Sequence, residues 1–229
     1  DKVISACSIF DLSINVKDQE SEARKIIQKT HYNQFNLNTE VLYKFAWIKL
    51  NEDVFYFCGV FHHSIIDGDS LDLWLNELFG ACNLLLSNKK ISAKKDPVQF
   101  CDYVRWQSNL MNSDLMQKQL SYWKENLKDM EPVLNLPFDL PRPSEHSYNG
   151  TGYRFIFSAA TKPLVDDFIK AHLGISYFTL FLTAYFAFLK RYCQQKDFTV
   201  GIPVSNKRLE SFQNVIGMFV NSLPIRHAF

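Results

Sequence analysis

The stretch Phe61-His62-His63-Ser64-Ile65-Ile66-Asp67-Gly68-Asp69-Ser70 decides how this chain is read. It ends an apolar run, Val54 to Phe61, whose length and content predict a β-strand buried on both faces. It precedes Ser70 to Leu86, where Leu71, Trp74, Leu75, Leu78, Cys82 and Leu85 recur at helical spacing. Two histidines, an aspartate and a glycine therefore stand where a strand gives way to a helix, a place at which sites collect in α/β folds. Asp69 is the expected N-cap of that helix, with Asp72 in its first turn. The ordinary pKa of histidine suits proton transfer near neutrality. Asp67, four residues after His63, would hold the loop so that His63 faces a cavity. Gly68 would supply a backbone conformation closed to other residues. By composition alone, the paired histidines also suit a partly exposed strand end, and both readings stay open. A metal site is not expected: adjacent residues on an extended chain point opposite ways, and no HxxxH or HExxH spacing occurs.

Working outward, Val41 to Leu50 and Val54 to Phe61 form a predicted hairpin around the turn Asn51-Glu52-Asp53. Upstream, Val3 to Phe10 reads as a strand and Glu20 to about Gln34 as a helix with Ala23, Ile26 and Ile27 inward. Downstream, Asp114 to Leu127 is helical. Pro132, Pro137, Pro141 and Pro143 then mark a connector, because proline removes a backbone donor and fixes φ. We place a lobe boundary there: residues 1–131, a connector at 132–149, and residues 150–229. Beyond it, Gly152 to Phe157 is a predicted strand. A helix with Pro163 in its first turn runs to His172 and stops before Gly174. Ser176 to Gln195 is a long, mostly buried helix, with Phe178, Phe181, Leu182, Tyr185 and Leu189 assigned to the core. Phe198 to Val204 is a further strand. This order of strands and helices predicts a layered α/β or α+β fold.

Composition narrows the function. Of 229 residues, 47% are hydrophobic, enough for a sizeable core. The 25 basic residues are balanced by 24 acidic ones, which gives no general electrostatic case for nucleic acid or an anionic membrane as partner. Five cysteines without CxxC spacing fit thiols in a reducing cytoplasm better than a disulfide framework. The first residues do not lead one to expect a signal peptide. Its most apolar stretch, Ile175 to Leu189, falls short of the about 20 residues that span a bilayer. A start without methionine at Asp1 and an end at Phe229 are the expected marks of a piece cut from a longer protein.

Beyond these properties the sequence resembles a family. His62-His63-Ser64-Ile65-Ile66-Asp67-Gly68 matches HHxxxDG, the signature of the condensation domains of non-ribosomal peptide synthetases and of their acyltransferase relatives. Phe100-Cys101-Asp102-Tyr103-Val104-Arg105-Trp106 is similar to the YxDYAxW motif of condensation domains, and Ile216 to Arg226, IGMFVNSLPIR, to their IGxFVNTxxxR. Leu136 to Pro143 resembles the LPxDxPRP connector, and Gly201 to Asn206 the start of GxPxxxR. These segments lie in the family's order. The family's earlier motifs and its final ones have no counterpart here.

The resemblance implies a chloramphenicol-acetyltransferase-like pseudo-dimer of two lobes, incomplete at both ends, with HHxxxDG in a tunnel between them. It implies amide-bond formation, in which an aminoacyl amine on an acceptor carrier protein attacks an acyl or peptidyl thioester on a donor carrier protein. Both substrates would ride on 4'-phosphopantetheine arms, so no cofactor bound by the domain is expected. The donor and acceptor peptidyl carrier domains and an adenylation domain are the implied partners, in the cytoplasm. His63 is the implied catalytic residue, with His62, Asp67 and Gly68 in support and His62 turned away from the cavity. The family's aspartate pairs with an arginine of the other lobe. Here Lys207 holds that position and Arg208 is next to it. Arg208 is the favoured partner after a small shift of register, and a solvated Lys207-Arg208 pair is the competing reading. Ser64, Asn221 and Ser222 are candidate tunnel-lining residues, whereas Asp102, Tyr103, Arg105 and Trp106 read as structural. Two alternatives stay open: a free-standing acyltransferase of the same superfamily using coenzyme A or a carrier, and an inactive scaffold that docks carriers or tailoring enzymes.

Overall fold

The computed structural model describes residues 7–14, 16–92, 98–141, 143–147, 149–207 and 209–229. The chain packs as two compact units, Asp1–Asn112 with Val204–Asn221, and Ser113–Pro203 with Ser222–Phe229.

The first unit is built on a three-stranded sheet, β1 (Cys7–Asp11), β2 (Tyr43–Lys49) and β3 (Phe55–Phe61), in that order. β1 runs parallel to β2, and the helix α1 (Gln19–Tyr32) supplies the crossover that parallel strands require. The Asp18 side chain caps α1 by accepting from the Ser21 N–H at 3.1 Å. The helix lays Ala23, Ile26 and Ile27 against one face of the sheet, where Leu12, Ala46, Ile48 and Leu50 complete a core. β2 and β3 pair antiparallel, and their turn is held by the Asn51 side chain, which accepts from the Asp53 and Val54 amides at 2.9 Å.

Side chains alternate across a strand, so Phe45 and Trp47 point to the opposite face. There Phe45 and Phe61 pack on Trp74 of α2 (Gly68–Leu86), with ring centroids 5.5 and 5.1 Å apart. The expectation that β3 is buried on both faces is not met: Phe55 is 42% and Phe57 37% exposed. α1 covers one face, whereas on the other Trp74 of α2 reaches Phe45, Phe57 and Phe61.

The remainder of this unit holds α3 (Phe100–Met111), which sequence reasoning left out. Its start is a capping box in which the Asp102 carboxylate accepts from the Gln99 N–H at 2.9 Å. Phe100, Tyr103, Phe212, Val215 and Phe219 then form a second core.

The second unit holds α4 (Asp114–Asn126), the proline-rich residues 132–149, α5 (Thr161–Ala171) and α6 (Tyr177–Cys193). Most of the paired strands β4 (Asp197–Ser205) and β5 (Val220–Ala228) also belongs to it. α5 has Pro163 in its first turn as predicted, and Gly174 beyond its end takes φ +88°, a conformation that favours glycine. The core is Phe186, Leu189 and Cys193 of α6 with Phe198, Leu134, Leu136, Val200 and Ile225.

Two expectations fail in this unit. Gly152 to Phe157 is not a strand, since it joins neither of the two sheets and takes no ladder hydrogen bonds there. The apolar stripe of α6 is also split. Leu182 and Leu189 face the core, while Phe178, Phe181 and Tyr185 are about half exposed. The helix is apolar over much of its circumference, and the β4/β5 core takes one face of it.

Candidate functional site

The site grows out of the end of β3. His62 continues the pairing for one residue, its N–H donating to the Leu42 carbonyl at 2.9 Å, and the chain then turns, with the Ile65 N–H on the His62 carbonyl at 3.1 Å. Ile66 and Asp67 are buried and α2 starts directly after them.

The two histidines are held in opposite tautomers. The Ser64 N–H donates to His62 Nδ1 at 3.2 Å, and the Ser64 hydroxyl lies 2.7 Å from the same atom. His62 Nδ1 is therefore an acceptor and its proton sits on Nε2. The His62 ring is half-buried, edge-on to Phe35 at 6.0 Å, so it hydrogen-bonds and packs locally. His63 Nδ1 lies 2.9 Å from the Ile66 carbonyl. A carbonyl can only accept, so Nδ1 carries the hydrogen and the neutral ring keeps its lone pair on Nε2. His63 is an exposed residue of the loop. Its imidazole is thus oriented by backbone, with the basic nitrogen at the end of the ring away from that bond.

Asp67 is 5% exposed, and both of its carboxylate oxygens are used by backbone amides. Oδ1 accepts from the Ser70 N–H at 2.9 Å, which makes Asp67 the N-cap of α2 in place of the expected Asp69. Oδ2 accepts from the Phe219 N–H at 2.8 Å, across 152 residues of sequence. Burial pushes the Asp67 carboxyl pKa up, but the bonds from Ser70 and Phe219 and the charge of Lys207 outweigh it and hold the group below the ordinary range. Burial in turn lowers the pKa of the Lys207 ammonium, against the pull of Asp67 and Asp69. Lys207 also lies over the Phe219 ring, 4.9 Å from its centroid. Arg208, the favoured partner of Asp67, lies outside the described residues.

A second set of bonds joins the same two segments. The Asp67 N–H donates to the Gly217 carbonyl at 3.2 Å. The hydroxyl of Ser70, a residue with no exposed surface, donates to that carbonyl at 2.9 Å and accepts from the Gly217 N–H at 3.2 Å. On its other side Gly217 lies against the Phe100 ring. A Cβ there would come within 2.7 Å of Phe100 Cε2 and Cγ and closer still to Cδ2. Phe219 is 1% exposed and packs on Tyr103 at 4.6 Å and on Phe100 at 5.1 Å. The three sequence segments HHSIIDG, FCDYVRW and IGMFVN thus meet in the first unit.

One expectation fails here. Gly68 is not in the left-handed region, and a Cβ on it would meet nothing within 4 Å, so its backbone does not demand glycine. Ser64 serves His62. Asn221 and Ser222 open β5 with exposed side chains. Sequence reasoning missed the parts played by Ser70, Gly217 and Phe100. The D-x-x-S spacing at 67–70 signals the cap, but nothing local announces a partner more than a hundred residues away. Among the described residues, no three His, Cys, Asp or Glu side chains are grouped to hold a metal ion, and no helix is long and apolar enough to cross a membrane.

Comparison with known proteins places this geometry in context. The condensation-domain family model matches residues 3–229. The chain is 34% identical over 209 residues to gramicidin S synthase 2 of Aneurinibacillus migulanus, covering 90% of the chain and 4% of that protein. To bacitracin synthase 1 of Bacillus licheniformis it is 33% identical over 218 residues, covering 95% of the chain and 4% of that protein. Among solved structures, the X-domain from teicoplanin biosynthesis superposes with a TM-score of 0.84 at 19% identity, covering 97% of the chain and 49% of that structure. The first condensation domain of the calcium-dependent antibiotic synthetase gives 0.70 at 21% identity, covering 97% and 50%. The chain therefore spans about half the length of these solved chains and a small part of the synthases. These structural likenesses carry the fold, the mixed α/β fold of condensation domains.

Proposed function

The chain belongs to the condensation-domain family, and on that premise we propose that it forms an amide bond between two carrier-bound substrates in a non-ribosomal peptide synthetase. The amine of an aminoacyl group on the acceptor carrier attacks the thioester carbonyl of the donor acyl or peptidyl group. A C–N bond forms, the tetrahedral intermediate collapses, and the C–S bond breaks to release the donor thiol. The nitrogen loses one proton in this sequence and the thiolate gains one.

The observation that supports this reading is the fixed tautomer of His63. With Nδ1–H bound to the Ile66 carbonyl, Nε2 can take the proton from the attacking nitrogen, or accept a hydrogen bond that orients it. A free α-amino group has a pKa of about 7.7–8.0, so strong basicity is not required of the catalyst. Holding the two arms together supplies a large part of the rate. Asp67 acts through the loop, with His62, Ser64 and Gly68 around it. Lys207 is its charged neighbour, and we keep Arg208 as the candidate arginine. Asn221 and Ser222 remain candidates for the tunnel wall.

On the same reading, residues 1–131 and 150–229 are parts of two lobes joined by residues 132–149. The substrates ride on 4'-phosphopantetheine, and the partners are donor and acceptor carrier domains and an adenylation domain in the cytoplasm. The full-length protein, with both carriers loaded, tests the proposal. Replacing His63 by alanine should lower amide formation by about 10²- to 10⁴-fold. Wild-type rates in His63→Ala would refute the assignment. A second reading, a scaffold that docks a partner without catalysis, draws on the teicoplanin X-domain, which is also solved in complex with OxyB. Carrier binding without product by the wild-type protein would favour it.

A further inference from the structure

We propose that Ser70 is a positioning residue for His63, acting as a hydroxyl clamp on the Gly217 peptide; this rests on the function proposed above. Ser70 has no exposed surface, which leaves its side chain out of direct reach of a substrate. Its hydroxyl engages both polar groups of one residue, donating to the Gly217 carbonyl at 2.9 Å and accepting from the Gly217 N–H at 3.2 Å. Capping a helix does not require this. The cap bond of α2 runs from the Ser70 backbone N–H to Asp67, so the hydroxyl has a separate task.

The geometry shows what that task is. Segment 216–219 is pressed from one side by the Phe100 ring, which leaves no room for a side chain at Gly217. On the other side it is held by Ser70 Oγ, by the Asp67 N–H on the Gly217 carbonyl, and by Asp67 Oδ2 on the Phe219 N–H. Asp67 is also the residue after Ile66, whose carbonyl orients His63. Gly217 is thus fixed against the first turn of α2, and the residue that sets the His63 tautomer sits one peptide from that junction. Without the hydroxyl, the Gly217 N–H loses its partner in a buried place, and segment 216–219 can shift relative to Asp67. The Ile66 carbonyl and the His63 ring shift with it. Small displacements of a catalytic group lower the rate steeply without altering how the carriers bind.

The test uses the full-length protein with loaded carriers and compares wild type, Ser70→Ala and Ser70→Thr. Amide hydrogen exchange gives a readout independent of activity: Ser70→Ala should speed exchange at the Gly217 N–H by about tenfold or more. In the same variant kcat should fall roughly ten- to a hundredfold, with KM for the acceptor carrier unchanged. Ser70→Thr, which keeps the hydroxyl, should recover most of both. Unchanged exchange in Ser70→Ala would overturn the clamp. Faster exchange with wild-type kcat would overturn its positioning role. A loss confined to KM, or one that Ser70→Thr does not recover, would also overturn it. A wild-type protein that forms no product would instead overturn the proposed function, while the exchange data still report on the clamp itself.

Discussion

Gly217→Ala is the most direct probe of how the catalytic loop is supported. The new methyl would sit 2.7 Å from Phe100 Cε2 and Cγ and closer still to Cδ2, where ordinary contact begins near 3.4 Å, so the ring or the segment must move by well over about 0.7 Å. On its buried side the ring is backed by Tyr103 at 5.6 Å and, edge-on, by Phe219 at 5.1 Å, so it cannot retreat in that direction. The segment cannot retreat either without stretching the Ser70 and Asp67 bonds. Overpacking of this kind costs about 1–3 kcal/mol. Phe100 is only half-buried, which favours the lower part of that range, since the ring can swing partly toward solvent. Urea unfolding followed by near-ultraviolet circular dichroism measures the loss. A double-mutant cycle with Phe100→Leu isolates its cause. If the clash is responsible, the smaller side chain relieves it, and the two substitutions should couple by about 1 kcal/mol or more. Additivity within roughly 0.5 kcal/mol, or wild-type stability of Gly217→Ala alone, would refute the reasoning.

Three further outcomes are expected. Asp67→Ala should destabilise the protein by about 2–4 kcal/mol, from a lost cap and a buried Phe219 amide left unpaired; a change under about 1 kcal/mol in urea midpoint experiments would contradict this. Because the folded Asp67 carboxyl is held below its ordinary value, its contribution is present above the unfolded pKa of about 3.9 and is lost as pH falls through the folded value. The stability gap between wild type and Asp67→Asn should therefore narrow below about pH 4, and a gap that stays constant to lower pH would exclude the linkage. Arg226 binds Asp197 bidentately through Nε and Nη2, and its Nη1 donates to the Asn126 and Lys128 carbonyls at 2.8 and 2.9 Å, so Arg226→Lys should lower Tm nearly as much as Arg226→Ala. Full recovery by lysine in a thermal melt would show that charge alone suffices.

Much of this molecule was legible along the chain. The end of β3, the start of α2 and α5 with its proline and glycine signals all follow from periodicity, caps and turns, which act over a few residues. HHSIIDG with its companion segments carried the family. The failures arise where contacts between distant parts of the chain decide. Asp69 and Asp67 are equally good caps by residue type, and the choice fell to Asp67 because its second oxygen meets the Phe219 amide. The α6 stripe was read as one face, but which apolar side becomes core depends on where β4 and β5 lie. Gly152 to Phe157 has strand composition and no ladder to join.

What the sequence by itself determined was the local elements, the family and the identity of the two histidines. Tertiary structure decided what those histidines can do: the Ile66 carbonyl sets one tautomer, Ser64 sets the other, and Ser70 and Asp67 grip a segment 147 and 152 residues away. Such pairings leave no local trace, because a hydroxyl or an amide has the same sequence signature whatever folds back against it.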